Sequence, residues 1–452
     1  MNRYLYILFI CAGILSHLSC SKYLDQKPDQ SLSLPDNVKD LTALMDYETI
    51  MTQYHPEGGD ISADYFFLND AAWNEQSIDA RNMYVWDSEA QHNADWSYSY
   101  ERIFNCNVVL DNIDKAKLGS LTEFDRMATK GSALFFRAYT FLQLAQLYCP
   151  HNTVNMPDSE FGLVLKLKAD INEPIIRSTV KDTYVQIISD LILAAELLPA
   201  KRSIQTRPSK VAAYAALSRV YLFIGDYLKS LEYAKLCLDI QDELLDYNNV
   251  NANATLPFTI LNREVIFHAI TLSSSGTHAQ QNAFVDTVLF NSYEDNDLRK
   301  KAFFRKDNNG YHNFKGYYNG DGFNLFAGLA VDEVYLNKAE CEVRLKQDQQ
   351  ALTTLNHILK FRLQQSQFSV IRGLHGDDLL RRILKEREKE LLFRGGIRWP
   401  DLRRLNYEGK FTKTIVRNVG SNKFELKPND PRYTLLLPYD VVLESGIKQN
   451  PR

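Results

Sequence analysis

Glu386, Glu388, Glu390, Arg398, Asp401, Arg403 and Arg404 crowd one late stretch of the chain. Acids interleaved with arginines could perform acid–base chemistry or hold an anion. The same spacing also makes i, i+4 ion pairs on a helix and an Arg–Asp clamp across the turn after Gly396, and that structural reading is adopted. Asp60, Asp64 and Asp70, and separately Asp307-Asn308-Asn309-Gly310, are dense in oxygen but lack the loop spacing of a calcium site, so solvated turns are expected. His55, His92, His268, His278 and His312 form no metal pair at i, i+3 or i, i+4. No Ser or Cys lies in a nucleophile motif and no glycine-rich loop would cradle phosphate. Neither catalysis nor a cofactor or metal is expected.

A different chemistry is available to the aromatic loops. A sugar ring has an apolar C–H face and a rim of hydroxyls, so it suits an exposed Trp or Tyr plane flanked by amides or charges. AAWNEQS through YVWDSEAQHNADW and, later, NNGYHNFKGYYNGDGFN have that composition. The spacing proposes Trp73, Tyr311, Tyr317 and Tyr318 as a stacking platform, with Asn74 and Asn319 bonding hydroxyls. Trp86 and Trp96 are assigned to packing, and Trp399 likewise.

Helices must carry these loops. Ser209 follows Pro208 as an N-cap, and Tyr214, Leu217, Ser218 and Tyr221 recur at helical spacing. Gly225-Asp226 breaks the pattern, and Tyr227, Leu231, Ala234 and Leu238 resume it. This is the hairpin of a tetratricopeptide-type repeat, which cannot bury its apolar faces alone and so requires neighbours. Further helical patterns begin at Asp40, run from Glu101 to Ile113 and through Leu134–Ala145, start at Ser178 or Thr179, and fill 331–362 with Lys346 where the first hairpin has Gly225. A last helix over Asp377–Arg394 is stopped by Gly395-Gly396. Residues 58–96 show no sustained period and read as long ordered loops. From 241 to about 326 the chain is rich in Asn, Ser, Gly and Tyr, with one short strand at 264–267. Long ordered loops on a rigid frame are where binding sites usually sit. The fold class expected is all-α, a scaffold of tetratricopeptide-like hairpins with long loop insertions and little β structure.

The chain has 452 residues and a net charge of only -4, which gives no electrostatic footprint for nucleic acid. Residues 1–19 read as a secretory signal: Arg3, then an apolar run from Tyr4 to Leu15, then small or polar residues up to Cys20. A Cys at that place resembles a bacterial lipobox, so Cys20 is the expected lipidation site and membrane anchor. Residues 20–452 are read as one domain, with scaffold at about 38–50, 101–240 and 331–405 and ligand-binding blocks at about 58–100 and 241–328. Cys106, Cys149, Cys237 and Cys341 have no CxxC spacing and read as buried free thiols, although an oxidising compartment would permit disulfides.

With these residues assembled, the chain resembles the SusD/RagB family of Bacteroidetes nutrient-binding outer-membrane lipoproteins. CSKYLDQKP, DLTALMD, YERIFNCNVVLDNID, ALFFRAYTFLQLAQLYCP, REKELLFRGGIRWPDLRRLN and the ending LLPYDVVLESGIKQNPR resemble that family's motifs in order and nearly end to end. The resemblance implies a non-catalytic protein that delivers an oligosaccharide, or in some members a peptide, to a TonB-dependent SusC-like outer-membrane transporter. It implies lipid anchoring and a cell-exterior location. The residues leave open a peptide-binding scaffold, a helical glycoside hydrolase and a periplasmic repeat protein.

Overall fold

A computed structural model describes residues 35–452 apart from 152, 156 and 272–275. The signal segment and Cys20 lie outside the described residues.

Among the described residues the scaffold consists of ten longer helices: α1 (Val38–Met45), α2 (Asn93–Asn112), α3 (Glu123–Tyr148), α4 (Val180–Leu197), α5 (Lys210–Phe223), α6 (Tyr227–Leu238), α7 (Val331–Arg344), α8 (Asp348–Lys360), α9 (Gly376–Glu390) and α10 (Arg398–Glu408). α2 packs on α3, α3 on α4, α4 on α5, α5 on α6 and α7 on α8, and α6 also packs on α7, so the chain's third hairpin stacks on its second across the intervening loops. Ser209 caps α5 by accepting the Ala212 N–H, and Gly225 turns the chain at φ +77°. Where α5 meets α6, Ser230 donates to the Ser218 carbonyl at 2.8 Å, a contact that only small side chains allow. Lys346 takes φ +61° at the equivalent turn. The all-α, tetratricopeptide-like reading therefore holds, with β structure confined to small sheets.

Three boundaries differ from expectation. The helix expected from Glu101 begins at Asn93, because the His92–Trp96 turn is buried by Tyr148 packing edge-on to Trp96 at 5.3 Å. Residues 58–96 are not mainly loop: Gly58–Ser62, Asp70–Glu75 and Ile78–Tyr84 are short helices, two of them N-capped by Asn69 and Ser77. Each is too short to display a period. The helix expected to reach Arg394 ends at Glu390, since Phe393 already adopts φ +53°.

Eight short strands complete the fold among the described residues. β1 (Phe66–Phe67), β3 (Phe284–Val285), β4 (Phe304–Lys306) and β5 (His312–Phe314) form an antiparallel sheet in the order β1-β3-β5-β4; β2 (Val265–Phe267) pairs with β6 (Leu329–Ala330), and β7 (Ile415–Val419) with β8 (Asn422–Leu426). The principal hydrophobic core runs from Val38 to Leu437 and joins the scaffold to the sheets. Buried arginines pin the irregular segments by donating to carbonyls. Arg102 bonds Ile50 O and Gln53 O, Arg403 bonds Gln146 O and Cys149 O, and Arg417 bonds Tyr84 O, Ile61 O and Ala63 O. Arg417 also lies over the Tyr84 ring at 3.6 Å. Loop carbonyls that no helix or sheet would satisfy thus gain a charged donor. Cys106, Cys149, Cys237 and Cys341 are free and buried, and burial pushes the Cys106 thiol up to about 12.

Candidate functional site

The late acidic–basic stretch forms a buried lattice. Arg299 reaches Asp297, Glu386 and Glu390; Arg362 reaches Glu390 and Glu264; Arg404 reaches Glu340 and Asp401; Arg387 reaches Asp401. Glu388 pairs with Arg398, and the fully buried Trp399 donates to Tyr433 O at 3.1 Å. The stretch is therefore made of ion pairs, as the structural reading of its spacing has it, but many of the partners come from other elements and are buried because the C-terminal half of α9 is enclosed by its neighbours. Asp60 and Asp64 are not solvated turns. Asp60 accepts the Gly396 N–H, and Asp64 accepts Arg398 at 2.6 Å. Among the described residues no group of three or more His, Cys, Asp or Glu could hold a metal ion.

The aromatic candidates divide sharply. Tyr311 is 36% exposed, whereas Tyr317 is 2%, Tyr318 2% and Asn319 1% exposed. Tyr318 donates to Glu264 Oε2 at 2.5 Å, and the Arg394 guanidinium sits 3.2 Å from its ring centroid, so it belongs to the buried lattice. Tyr317 packs on Phe314 at 5.3 Å. Asn319 is enclosed with its side-chain oxygen and nitrogen unpartnered. The turn is sealed because Gly320, at φ +72°, passes so close to Ile260 that a Cβ would stand 2.5 Å from its nitrogen. Tyr317, Tyr318 and Asn319 therefore leave the proposed platform. Tyr318→Phe is expected to lower stability by about 1–3 kcal/mol, the cost of an unpaired buried acceptor, while leaving ligand affinity unchanged; urea titration beside a binding titration checks both.

Trp73 is half-buried on the Asp70–Glu75 helix, 5.7 Å from the Tyr84 ring, with the Arg81 guanidinium 5.9 Å from its own ring. Asn74 is exposed, but consecutive helical residues diverge by about 100°, so it does not share the Trp73 face.

Strand register shows what surrounds Tyr311. Residues opposite each other in antiparallel strands project to one face, and successive residues alternate. Phe67 is opposite Phe284, Phe284 opposite Asn313, and Asn313 opposite Arg305. Tyr311 precedes His312 and joins this outer row. Its ring lies 4.5 Å from Phe284 and 5.7 Å from Phe67. Phe66, Val285, Phe314 and Phe304 project the other way and are buried; Phe314 packs on Phe393 at 4.7 Å. Asp307 holds Tyr311 at the rim. Its carboxylate accepts the Asn309 and Tyr311 N–H groups at 2.9 and 2.8 Å, so the Asp307–Gly310 run is a hairpin turn. Arg305 donates to Gln280 Oε1 at 3.2 Å, placing a guanidinium and an amide beside the rings.

The structure thus has an aromatic face with a polar rim: Tyr311 is its exposed ring, Phe67 is partly exposed, Phe284 is buried against both, and Arg305 and Gln280 stand at the edge. Only Tyr311 of these is legible in the sequence. Strands of two or three residues are too short for alternation to be read, though the Phe–Phe pair at 66–67 carries a signal. No ring contact joins Trp73 to Tyr311; they are linked through Tyr84 and Phe66 on one side of β1 and Phe67 on the other. Cavities of about 380 Å³, beside α1, and about 460 Å³, beside Ser77 and His92, lie elsewhere. Neither has a Trp, Tyr or Phe in its lining.

Known proteins agree with this architecture. A SusD-like family model, described as starch-binding and associating with the outer membrane, matches residues 22–222, and a SusD family model matches residues 331–434. The chain belongs to the SusD/RagB family. SusD-like protein P2 of Formosa agariphila is 27% identical over 172 residues, a match that covers 38% of this chain and about a third (32%) of that relative's length. Among solved structures, a putative sugar binding protein from Bacteroides vulgatus is similar at a TM-score of 0.76 and 22% identity, over 93% of this chain and 99% of that one. A SusD superfamily protein from Bacteroides thetaiotaomicron gives 0.73 and 23%, over 92% and 100%. A laminarin-binding SusD-like protein gives 0.66 and 17%, over 91% and 98%. At these identities the structures establish the fold.

Proposed function

We propose that this protein is a non-catalytic, surface-exposed lipoprotein that captures an oligosaccharide and passes it to a TonB-dependent SusC-like outer-membrane transporter. The outer face of the β1-β3-β5-β4 sheet carries this reading, because the exposed Tyr311 ring, the partly exposed Phe67 and the polar rim match the two surfaces of a sugar. Membership of the SusD/RagB family supports carbohydrate as the ligand class and the outer membrane as the location. Lipidation at Cys20 anchors the chain, residues 20–452 act as one domain, and the helical hairpins form the frame that faces the transporter. No helix among the described residues is long and apolar enough to cross a membrane. Trp73 extends the surface on the far side of β1.

Titration of the purified protein against a panel of polysaccharides and a protein digest tests this. Tyr311→Ala is expected to weaken glycan binding about 10-fold, the equivalent of one aromatic stacking contact. Binding of the digest alone, or turnover of a polysaccharide, would overturn the reading. Co-purification with the transporter from detergent-solubilised outer membranes checks the partner.

A further inference from the structure

The rim of the aromatic face is positively charged although the chain as a whole is not. Lys300, Lys301, Arg305 and Lys306 fall within seven consecutive residues leading into and through β4. Lys300 is paired with Asp295 at 3.0 Å. Lys301, Arg305 and Lys306 are exposed and form no ion pair among the described residues. Arg305 occupies the outer row with Phe284 and Tyr311, and its hydrogen-bond partner is the neutral Gln280 amide.

Among the described residues no neighbouring carboxylate forms an ion pair with Lys301, Arg305 or Lys306. Asp307 is turned into its own hairpin, accepting the Asn309 and Tyr311 N–H groups. Asp321 accepts the Phe323 and Asn324 N–H groups, and Asp286 caps the Thr287–Asn291 helix. Glu294 is paired with Lys389. An exposed guanidinium beside a stacking ring offers parallel N–H donors that fit a planar carboxylate or a sulfate, and it binds either far better than a neutral hydroxyl.

From this geometry we infer that the ligand on the Phe67–Phe284–Tyr311 face is an anionic oligosaccharide, bearing uronate carboxylates or sulfate esters, and that Arg305 is the residue that reads its charge. Lys301, on the preceding helix, and Lys306, which projects to the opposite face of β4, add to the positive field without lining the ring row. The inference rests on the glycan-binding reading above and adds the substrate class to it.

Matched pairs of polymers separate the two ideas and the two anion types: polygalacturonate against its methyl ester, and dextran sulfate against dextran. In about 50 mM salt, at least one acidic member is expected to bind about 10-fold tighter than its neutral partner, with the ratio shrinking towards 1 at about 500 mM as screening grows. Arg305→Gln should remove most of that ratio and leave the unfolding midpoint unchanged, while Arg305→Lys should keep part of it. Tyr311→Ala should weaken the acidic polymer as well, which simple ion exchange on surface lysines would not show. Equal binding of both members of each pair, or a ratio untouched by Arg305→Gln, overturns the anionic assignment and leaves the glycan-binding function standing. Failure of every polysaccharide, with a peptide bound instead, overturns both.

Discussion

Arg299→Ala is expected to cost the fold about 3–5 kcal/mol, the usual consequence of removing one partner from a buried ion pair. Arg299 is fully buried. It donates to Asp297 at 2.9 and 2.8 Å, to Glu390 at 3.0 Å and to Glu386 at 2.5 Å. Glu390 would retain Arg362 at 2.6 Å and Glu386 would retain Arg382 at 2.9 Å and Lys389 at 3.3 Å, but Asp297 would be left with Lys389 alone, 2.8 Å away. Arg299→Met preserves most of the packing volume and should be nearly as damaging, which separates charge from cavity. A solvent-exposed pair such as Arg263–Glu243 provides the contrast, and Arg263→Ala should cost about 0–1 kcal/mol. Urea unfolding midpoints compare the three variants, and a loss below about 1 kcal/mol for both Arg299 variants would show the lattice to be dispensable. Binding should suffer too, because the Leu298–Phe303 helix that begins at this arginine leads directly into β4 and the hairpin presenting Tyr311.

Acid should unfold the protein through the same lattice. Burial by itself would raise the Glu340 carboxyl, but the guanidiniums of Arg404 and Arg344 outweigh it and hold the group at about 2. Asp297 is likewise raised by burial and brought down to about 2 by Arg299 and Lys389. Both values lie below those of an unfolded chain, roughly 4. Their stabilisation is therefore complete above about pH 4.5 and is lost as pH falls towards 2, at roughly 2–3 kcal/mol for each group. Asp332 works in the opposite sense. Burial pushes it up to about 7 despite Arg394 at 2.7 Å, so it favours the fold while protonated, and that contribution fades between about pH 4 and 7. Stability is expected to peak in mildly acidic solution and collapse below about pH 4. Urea midpoints between pH 2 and 8 measure this, and a flat profile from pH 5 down to 2 would contradict the assignment of Glu340 and Asp297.

Much of the frame is legible in the order of the amino acids. Helical spacing within α5 and α6, the Ser209 cap and the Gly225 turn are local features, each readable within a few residues. The same holds for the ordered motifs that link the chain to its family. Short elements are harder. The Asp70–Glu75 helix completes fewer than two turns, and the β7–β8 hairpin escapes a local reading although Arg417 on it holds the loops below Trp73 in place. Its Gly420 turn lies between strands of five residues, where alternation of burial on β7 emerges only once the sheet has a core to face.

Sequence by itself determined the helical hairpins and the family, and drew attention to two aromatic-rich segments between the hairpins. Only the tertiary structure decided which aromatics in those segments face solvent. Tyr311, Tyr317 and Tyr318 share one composition and one loop, yet Tyr311 is held out by the Asp307 turn while Tyr318 is drawn inside by Glu264 and Arg394. Those partners lie 54 and 76 residues away along the chain. A helix period reports neighbours three and four residues apart; whether a loop residue is buried depends on surfaces that meet only when distant segments pack.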